Sequence, residues 1–196
     1  MSYNELKCVT LNVRGLNDRV KRSKVFQWLM DIKSDIVFVQ ETFCTDKGLY
    51  CFNSAWKGTV EHAVTDSAHS RGVSILFNDK INVTIENKHA SNDGRILLLN
   101  VDINGKSMTL INTYACNTEK QRITLFRKLK KWINLYAKHK ENTVIAGDMN
   151  CCLRKQDRST NTHLNDKSRI EMENILCEFK LKVHGHLYQM TQGIHS

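Results

Sequence analysis

Short apolar runs, separated by stretches with helical spacing, organise this chain. Residues 6–13 are rich in Val, Thr and Cys and end in Asn12-Val13-Arg14-Gly15, the pattern of a buried strand running into a glycine turn. Asn17 or Asp18 can cap the helix that follows. In that helix Val25, Trp28, Leu29 and Ile32 recur at i, i+3, i+4 and i+7, one apolar face, while Arg19, Lys21, Arg22 and Lys24 are expected on its outer side. Residues 35–41 form a second apolar run that ends in Glu41. Strand, helix, strand in this order predicts a parallel pair.

The middle of the chain predicts strands over 73–77, 81–85, 95–103 and 106–114, with Asn104-Gly105 as a two-residue hairpin turn between the last two. Thr118 and Gln121 form a capping box ahead of a helix expected to bury Leu125, Phe126, Leu129, Trp132, Ile133 and Tyr136. Lys128, Lys130, Lys131 and Lys138 are expected on its outside. Residues 143–147 read as another buried strand leading into Asp148-Met149-Asn150. A last helix is expected to start near Asp166, with Met172, Ile175, Leu176 and Phe179 as its apolar stripe. The meander in the middle has no helices, so the pattern fits an α/β protein of two packed sheets with helices outside better than one parallel sheet.

Composition narrows the partners. The chain has 196 residues, enough for one domain with a sizeable core. Its formal charge is +9, which favours a polyanionic partner, either nucleic acid or an acidic membrane surface. No apolar run reaches the ~18 residues of a membrane span, and residues 1–7 lack the features of a signal peptide. An intracellular protein is therefore expected. The seven cysteines include no Cys-x-x-Cys pair and are expected to be reduced, mostly buried thiols without ligand spacing. Proline is absent, where ordinary usage would give about ten.

The candidate chemistry lies at strand ends. Asn12, Glu41, Asp148 and Asn150 each interrupt an otherwise apolar run, and in α/β sheets ligands bind beyond the carboxyl ends of strands. If these ends converge, they form an oxygen-only donor set suited to Mg²⁺ rather than Zn²⁺. A basic protein with such a cleft points to metal-assisted phosphodiester hydrolysis.

Four segments carry a resemblance: Leu11-Asn12-Val13-Arg14-Gly15-Leu16, Asp35 through Thr42, Asn112-Thr113-Tyr114-Ala115-Cys116-Asn117, and Gly147-Asp148-Met149-Asn150. With Arg71-Gly72-Val73-Ser74-Ile75-Leu76 and Gly94-Arg95-Ile96-Leu97 as supporting pieces, they are similar, in the same order, to the motifs of the endonuclease/exonuclease/phosphatase superfamily. Within it the chain most resembles the apurinic-endonuclease-like domains of non-LTR retrotransposons. The resemblance implies a four-layer, DNase I-like sandwich of two packed mixed β-sheets flanked by helices, spanning residues 1–181, with 182–196 as an irregular tail. It implies Glu41 as the principal ligand of Mg²⁺ (or Mn²⁺), with Asn12 assisting. Tyr114 would contact the scissile phosphate, Asp148 would align or deprotonate the attacking water, and Asn150 would hold the phosphate. Asn117, Arg14, Arg71 and Arg95 are candidate contacts to double-stranded DNA, as are Arg154, Lys155 and Arg158. A monomeric, nuclear domain, part of a larger reverse-transcriptase polyprotein in intact relatives, is expected.

The chain departs from the family pattern at several points. Arg14 stands where many relatives carry an acidic residue or Asn, and Ser34 and Cys116 stand where they carry Pro. No Asp-His pair follows Asn150, although the family closes on a Ser-Asp-His-like motif, and Val183-His184-Gly185-His186 replaces an Asp-Val-Trp-Arg-like segment. A C-terminally truncated domain, without its last strands and weak or inactive as a nuclease, is the resulting expectation. A catalytically dead nucleic-acid-binding remnant of the same fold, or a phosphatase of the superfamily acting on another phosphate ester, are the alternative readings. His62, His69, His89, His139 and His163 are expected at the surface or in loops. His184, His186 and His195 fall in the tail.

Overall fold

A computed structural model describes residues 6–151 and 166–183. Its elements are β1 (Cys8–Asn12), α1 (Arg19–Asp31), β2 (Ile36–Gln40), α2 (Leu49–Asn53), β3 (Val60–Ala63), β4 (Val73–Phe77), β5 (Val83–Ala90), β6 (Ile96–Ile103), β7 (Lys106–Tyr114), α3 (Glu119–Tyr136), β8 (Thr143–Asp148) and α4 (Ser168–Glu178). The strands form two four-stranded mixed sheets, ordered β1-β2-β4-β3 and β5-β6-β7-β8. β1 runs parallel to β2 and β7 parallel to β8, while every other pairing is antiparallel.

Side-chain alternation along the strands builds the layers. In β2, Val37 and Val39 pack with Val25, Phe26 and Leu29 of α1, whereas Ile36 and Phe38 face the second sheet. In β6, Leu97, Leu99 and Val101 face the first sheet, and Ile96 and Leu98 pack on Leu125, Phe126 and Leu129 of α3. The result is helix, sheet, sheet, helix, as the apolar pattern predicts. β2 is buried at every residue because both its faces are covered. β1 and β8 are not the buried strands expected. They lie at sheet edges, so only Leu11 of β1 is buried and every residue of β8 is half-buried. The short elements α2 and β3 have no periodicity long enough to announce them. Among the described residues no helix is long and apolar enough to cross a membrane.

Two arginines are buried on the helices, and one of them corrects a face read from sequence. Arg22 is buried rather than on the outside of α1, and Arg122 is buried in α3. Arg22 Nη1 donates to the carbonyls of Leu16 (2.8 Å) and Asn17 (3.1 Å), and Arg122 Nη1 donates to those of Cys116 (3.2 Å) and Asn117 (2.6 Å). Each guanidinium sits four residues after its helix cap, Asp18 or Thr118, and ties down the two residues just before that cap. Burying the forks is offset by bonds to carbonyls that no helix bond reaches and, for Arg122, by an ion pair of Nη2 with Asp166 Oδ2 at 2.7 Å. Asp18 caps α1 by accepting from the Lys21 amide at 2.7 Å. Thr118 forms no such bond. Its hydroxyl donates to Gln121 Oε1 instead, so the two side chains meet but the expected capping box is not made.

The cysteines are less buried than expected: Cys44 and Cys116 are buried, while Cys8, Cys51 and Cys177 are exposed. Cys152, His163, His184, His186, His195, Arg154, Lys155 and Arg158 lie outside the described residues.

His62 also departs from expectation, being buried on β3 against the ring of Phe52. Its Nε2 lies 2.8 Å from Asn53 Oδ1, an acceptor only, so Nε2 carries the proton and Nδ1 accepts from Ser74 Oγ at 2.8 Å. Burial pushes this imidazole down to about 4, with Lys88 adding to the effect. The unfolded chain protonates His62 near its ordinary value of ~6.5, so between about 4 and 6.5 only the unfolded state takes up the proton. Stability should therefore fall as pH drops through that window, by about 2 kcal/mol from pH 7.5 to pH 5. Urea unfolding at the two pH values checks this: His62→Gln should remove that part of the pH dependence, and an unchanged slope would contradict it.

Candidate active site

The two parallel pairs bring the predicted strand ends together. Register sets Asn12 beside Gln40 and Tyr114 beside Asp148. Met108 and Leu110 of β7 face the space between the sheets, so alternation carries Asn112 and then Tyr114 onto the same face. Beneath the site, Gln40 and Asn112 are both fully buried and join the sheets, Gln40 Nε2 donating to Asn112 Oδ1 at 2.8 Å. Asn112 Nδ2 in turn donates to the carbonyls of Val39 (3.0 Å) and Ser74 (2.8 Å). This network fixes β2 against β7 one residue before Glu41 and two before Tyr114. Polar side chains inside apolar strand runs were the signal for it, and sequence reasoning gave the pair no role.

Asn12 is the hub of the site. Its Nδ2 donates to Glu41 Oε1 and to Asp148 Oδ2, each at 2.9 Å, although the three residues are far apart in the chain. The Tyr114 phenol hydrogen-bonds Glu41, and burial together with that carboxylate drives the phenol well above its ordinary range, so it stays a neutral O–H donor. Asp148 Oδ1 accepts from the Asn150 amide at 3.1 Å. Asn150 Nδ2 donates to the Ala115 carbonyl at 2.8 Å and lies 3.4 Å from Asn117 Oδ1. Asn12, Glu41, Tyr114, Asp148, Asn150 and Asn117 thus form one connected cluster. Among the described residues no histidine is bonded to any of them.

The backbone turns sharply around this cluster. Arg14, Glu41, Phe43, Arg71 and Asn150 all take left-handed φ, between 47° and 64°. Such conformations cost non-glycine residues of order 1 kcal/mol each and persist only when neighbouring bonds enforce them. Here Gly15 N donates to the Glu41 carbonyl (2.6 Å), Thr42 N to Gly72 O (3.1 Å) and Phe43 N to Arg71 O (2.9 Å). Arg14 is exposed at the rim, Arg71 is half-buried, and Arg95 lies over the Tyr114 ring. None of the eight ion pairs found among the described residues uses these three cations.

The donor set can be tested against a divalent cation. Two carboxylates and the neighbouring amides supply oxygen ligands, which fits Mg²⁺ or Mn²⁺, ions that keep several waters and share substrate phosphate. Among the described residues no three His, Cys, Asp or Glu side chains gather, so the site lacks the closed ligand cage of a structural zinc.

Two mixed sheets between helices, with carboxylates, amides and a phenol at the carboxyl ends of parallel strands, define the class of four-layer α/β sandwiches with a polar site at one end of the sheets. The chain belongs to the endonuclease/exonuclease/phosphatase family, whose defining pattern matches residues 9–170. It is 28% identical over 178 residues to the transposon TX1 uncharacterized 149 kDa protein of Xenopus laevis, a match covering 90% of this chain and 13% of that protein. The chain therefore spans only a small part of the length of that curated relative. Among solved structures, the AP endonuclease LMAP of Leishmania major superposes with a TM-score of 0.68 at 16% identity, over 89% of this chain and 66% of that one. An AP endonuclease from Archaeoglobus fulgidus gives 0.66 at 19% identity over 89% and 71%. The endonuclease domain of TRAS1, a telomere-specific non-LTR retrotransposon, gives 0.62 at 12% identity over 87% and 71%. These likenesses bear out the DNase I-like fold.

Proposed function

We propose that this chain is the DNA-nicking module of a transposon-encoded protein, hydrolysing a backbone phosphodiester of double-stranded DNA with a bound Mg²⁺ or Mn²⁺. The observation that supports it above others is the Asn12 amide bridging Glu41 and Asp148. Glu41, assisted by Asn12, would hold the ion, which when bound neutralises phosphate charge and acidifies water. Asp148, oriented by Asn12 and by the Asn150 amide, accepts the proton of the attacking water. Tyr114 offers its neutral hydroxyl to a non-bridging phosphate oxygen, and the Asn150 carboxamide holds another. Asn117, Arg14 and Arg71 border the cluster and supply contacts to DNA, with cations on phosphates.

Nicking of supercoiled plasmid tests the reading. We expect relaxed circles to accumulate with Mg²⁺ or Mn²⁺, and EDTA to abolish them. The rival reading is a nucleic-acid-binding remnant of the same fold. Salt-dependent DNA binding with no nicking at any metal concentration would select that rival.

A further inference from the structure

We propose that Arg95 is a positioning residue that acts through Tyr114, holding the phenol against Glu41, and is not a phosphate contact. Arg95 precedes β6, and its side chain folds back onto the end of β7. Its Nη1 donates to the Tyr114 carbonyl at 3.1 Å, and its guanidinium carbon lies 5.1 Å from the centroid of the Tyr114 ring. The backbone repeats the contact, with Tyr114 N donating to the Arg95 carbonyl at 2.9 Å. Tyr114 is therefore gripped at its amide, its carbonyl and its ring face by one residue. A cation on the ring face restricts ring rotation.

The segment carrying Arg95 is itself fixed. Buried Ser91 Oγ accepts from the amides of Arg95 (3.0 Å) and Ile96 (2.9 Å). Gly72 N donates to the Gly94 carbonyl at 3.1 Å, and Gly72 O accepts from Thr42, the residue after Glu41. A Cβ on Gly94 would lie 2.8 Å from the Val64 carbonyl oxygen, so this close approach needs glycine. An unbroken path of main-chain bonds thus runs from the residue after Glu41 through Gly72, Gly94 and Arg95 to Tyr114. Nη1 is engaged by the Tyr114 carbonyl and the guanidinium face by the Tyr114 ring, so taking up a phosphate with that nitrogen would loosen the hold on Tyr114.

The role assigned to the phenol rests on the nuclease reading above, so the test has two readouts. In the first, the protein is labelled with 3-fluorotyrosine and the Tyr114 ¹⁹F resonance is assigned by its loss in Tyr114→Phe. Arg95→Met should shift that resonance, and Arg95→Lys, which keeps a cation but not the fork, should shift it less. A resonance unmoved in Arg95→Met overturns the proposal whether or not the protein nicks DNA. In the second, Arg95→Met should lower the kcat of plasmid nicking about tenfold or more, with KM and the salt slope of DNA binding unchanged, and should cost little further in the Tyr114→Phe background. A raised KM with a salt slope reduced by about one identifies a phosphate contact and overturns the proposal. A parent protein that does not nick overturns the nuclease reading and leaves the resonance to decide the positioning role.

Discussion

Replacing Asp148 with Asn should slow plasmid nicking by ~10²–10⁴-fold while leaving the thermal midpoint within about 3 °C of the parent. The substitution keeps the side-chain shape and an oxygen for the Asn12 amide, 2.9 Å away, but removes the carboxylate proposed to take up the proton of water. Glu41→Gln should produce a loss of the same order, since a neutral amide is a poor ligand for a hard cation. The double variant should be little worse than the more damaging single one. Asn12 donates to both carboxylates at once, and groups that act as a unit do not give additive losses. Steady-state nicking rates of the four proteins decide this. Equal rates in the parent and both single variants would remove both assigned roles.

The largest effect on stability is expected at Gly147. Its φ is +143°, a conformation that side-chain-bearing residues rarely adopt, and a Cβ there would lie 1.9 Å from the Thr113 carbonyl oxygen. Gly147 pairs with Thr113 in the register between β8 and β7, so the clash is with backbone that the ladder holds in place. Gly147→Ala should therefore cost more than ~4 kcal/mol, and lower the thermal midpoint by more than ~10 °C or prevent folding. Any protein that does fold would carry a displaced Asp148 and nick poorly. A midpoint within about 3 °C of the parent would show that β8 can shift at little cost.

The layers were legible because β2, β6 and β7 are mostly apolar and α1 and α3 carry apolar residues at helical spacing. The strand ends Asn12, Glu41 and Asp148 were legible for the same reason, as polar residues stopping apolar runs, and the ordered motifs added Tyr114, Asn150 and Asn117. Burial of the edges was not, because an apolar run such as 143–147 looks the same whether one neighbour or two will cover it. His62 and Arg22 were misplaced on similar grounds. Burial of a titratable side chain depends on partners distant in sequence, here Ser74, and on carbonyls freed at a helix start, which no periodicity encodes. The Gln40–Asn112 bond spans 72 positions and belongs to the packing of two sheets, so it is visible only once they meet.

Arg22 and Arg122 anchor the residues that lead out of β1 and β7 from inside the protein, through their carbonyls, and on the outer face of α1 Lys21 adds one bond, to the Arg14 carbonyl at 3.0 Å. Reaction geometry and surface chemistry are thereby decoupled. The other exposed lysines and arginines along those helices can be gained, lost or reversed in sign, retuning the charge the molecule presents, without disturbing the atoms that meet at Asn12.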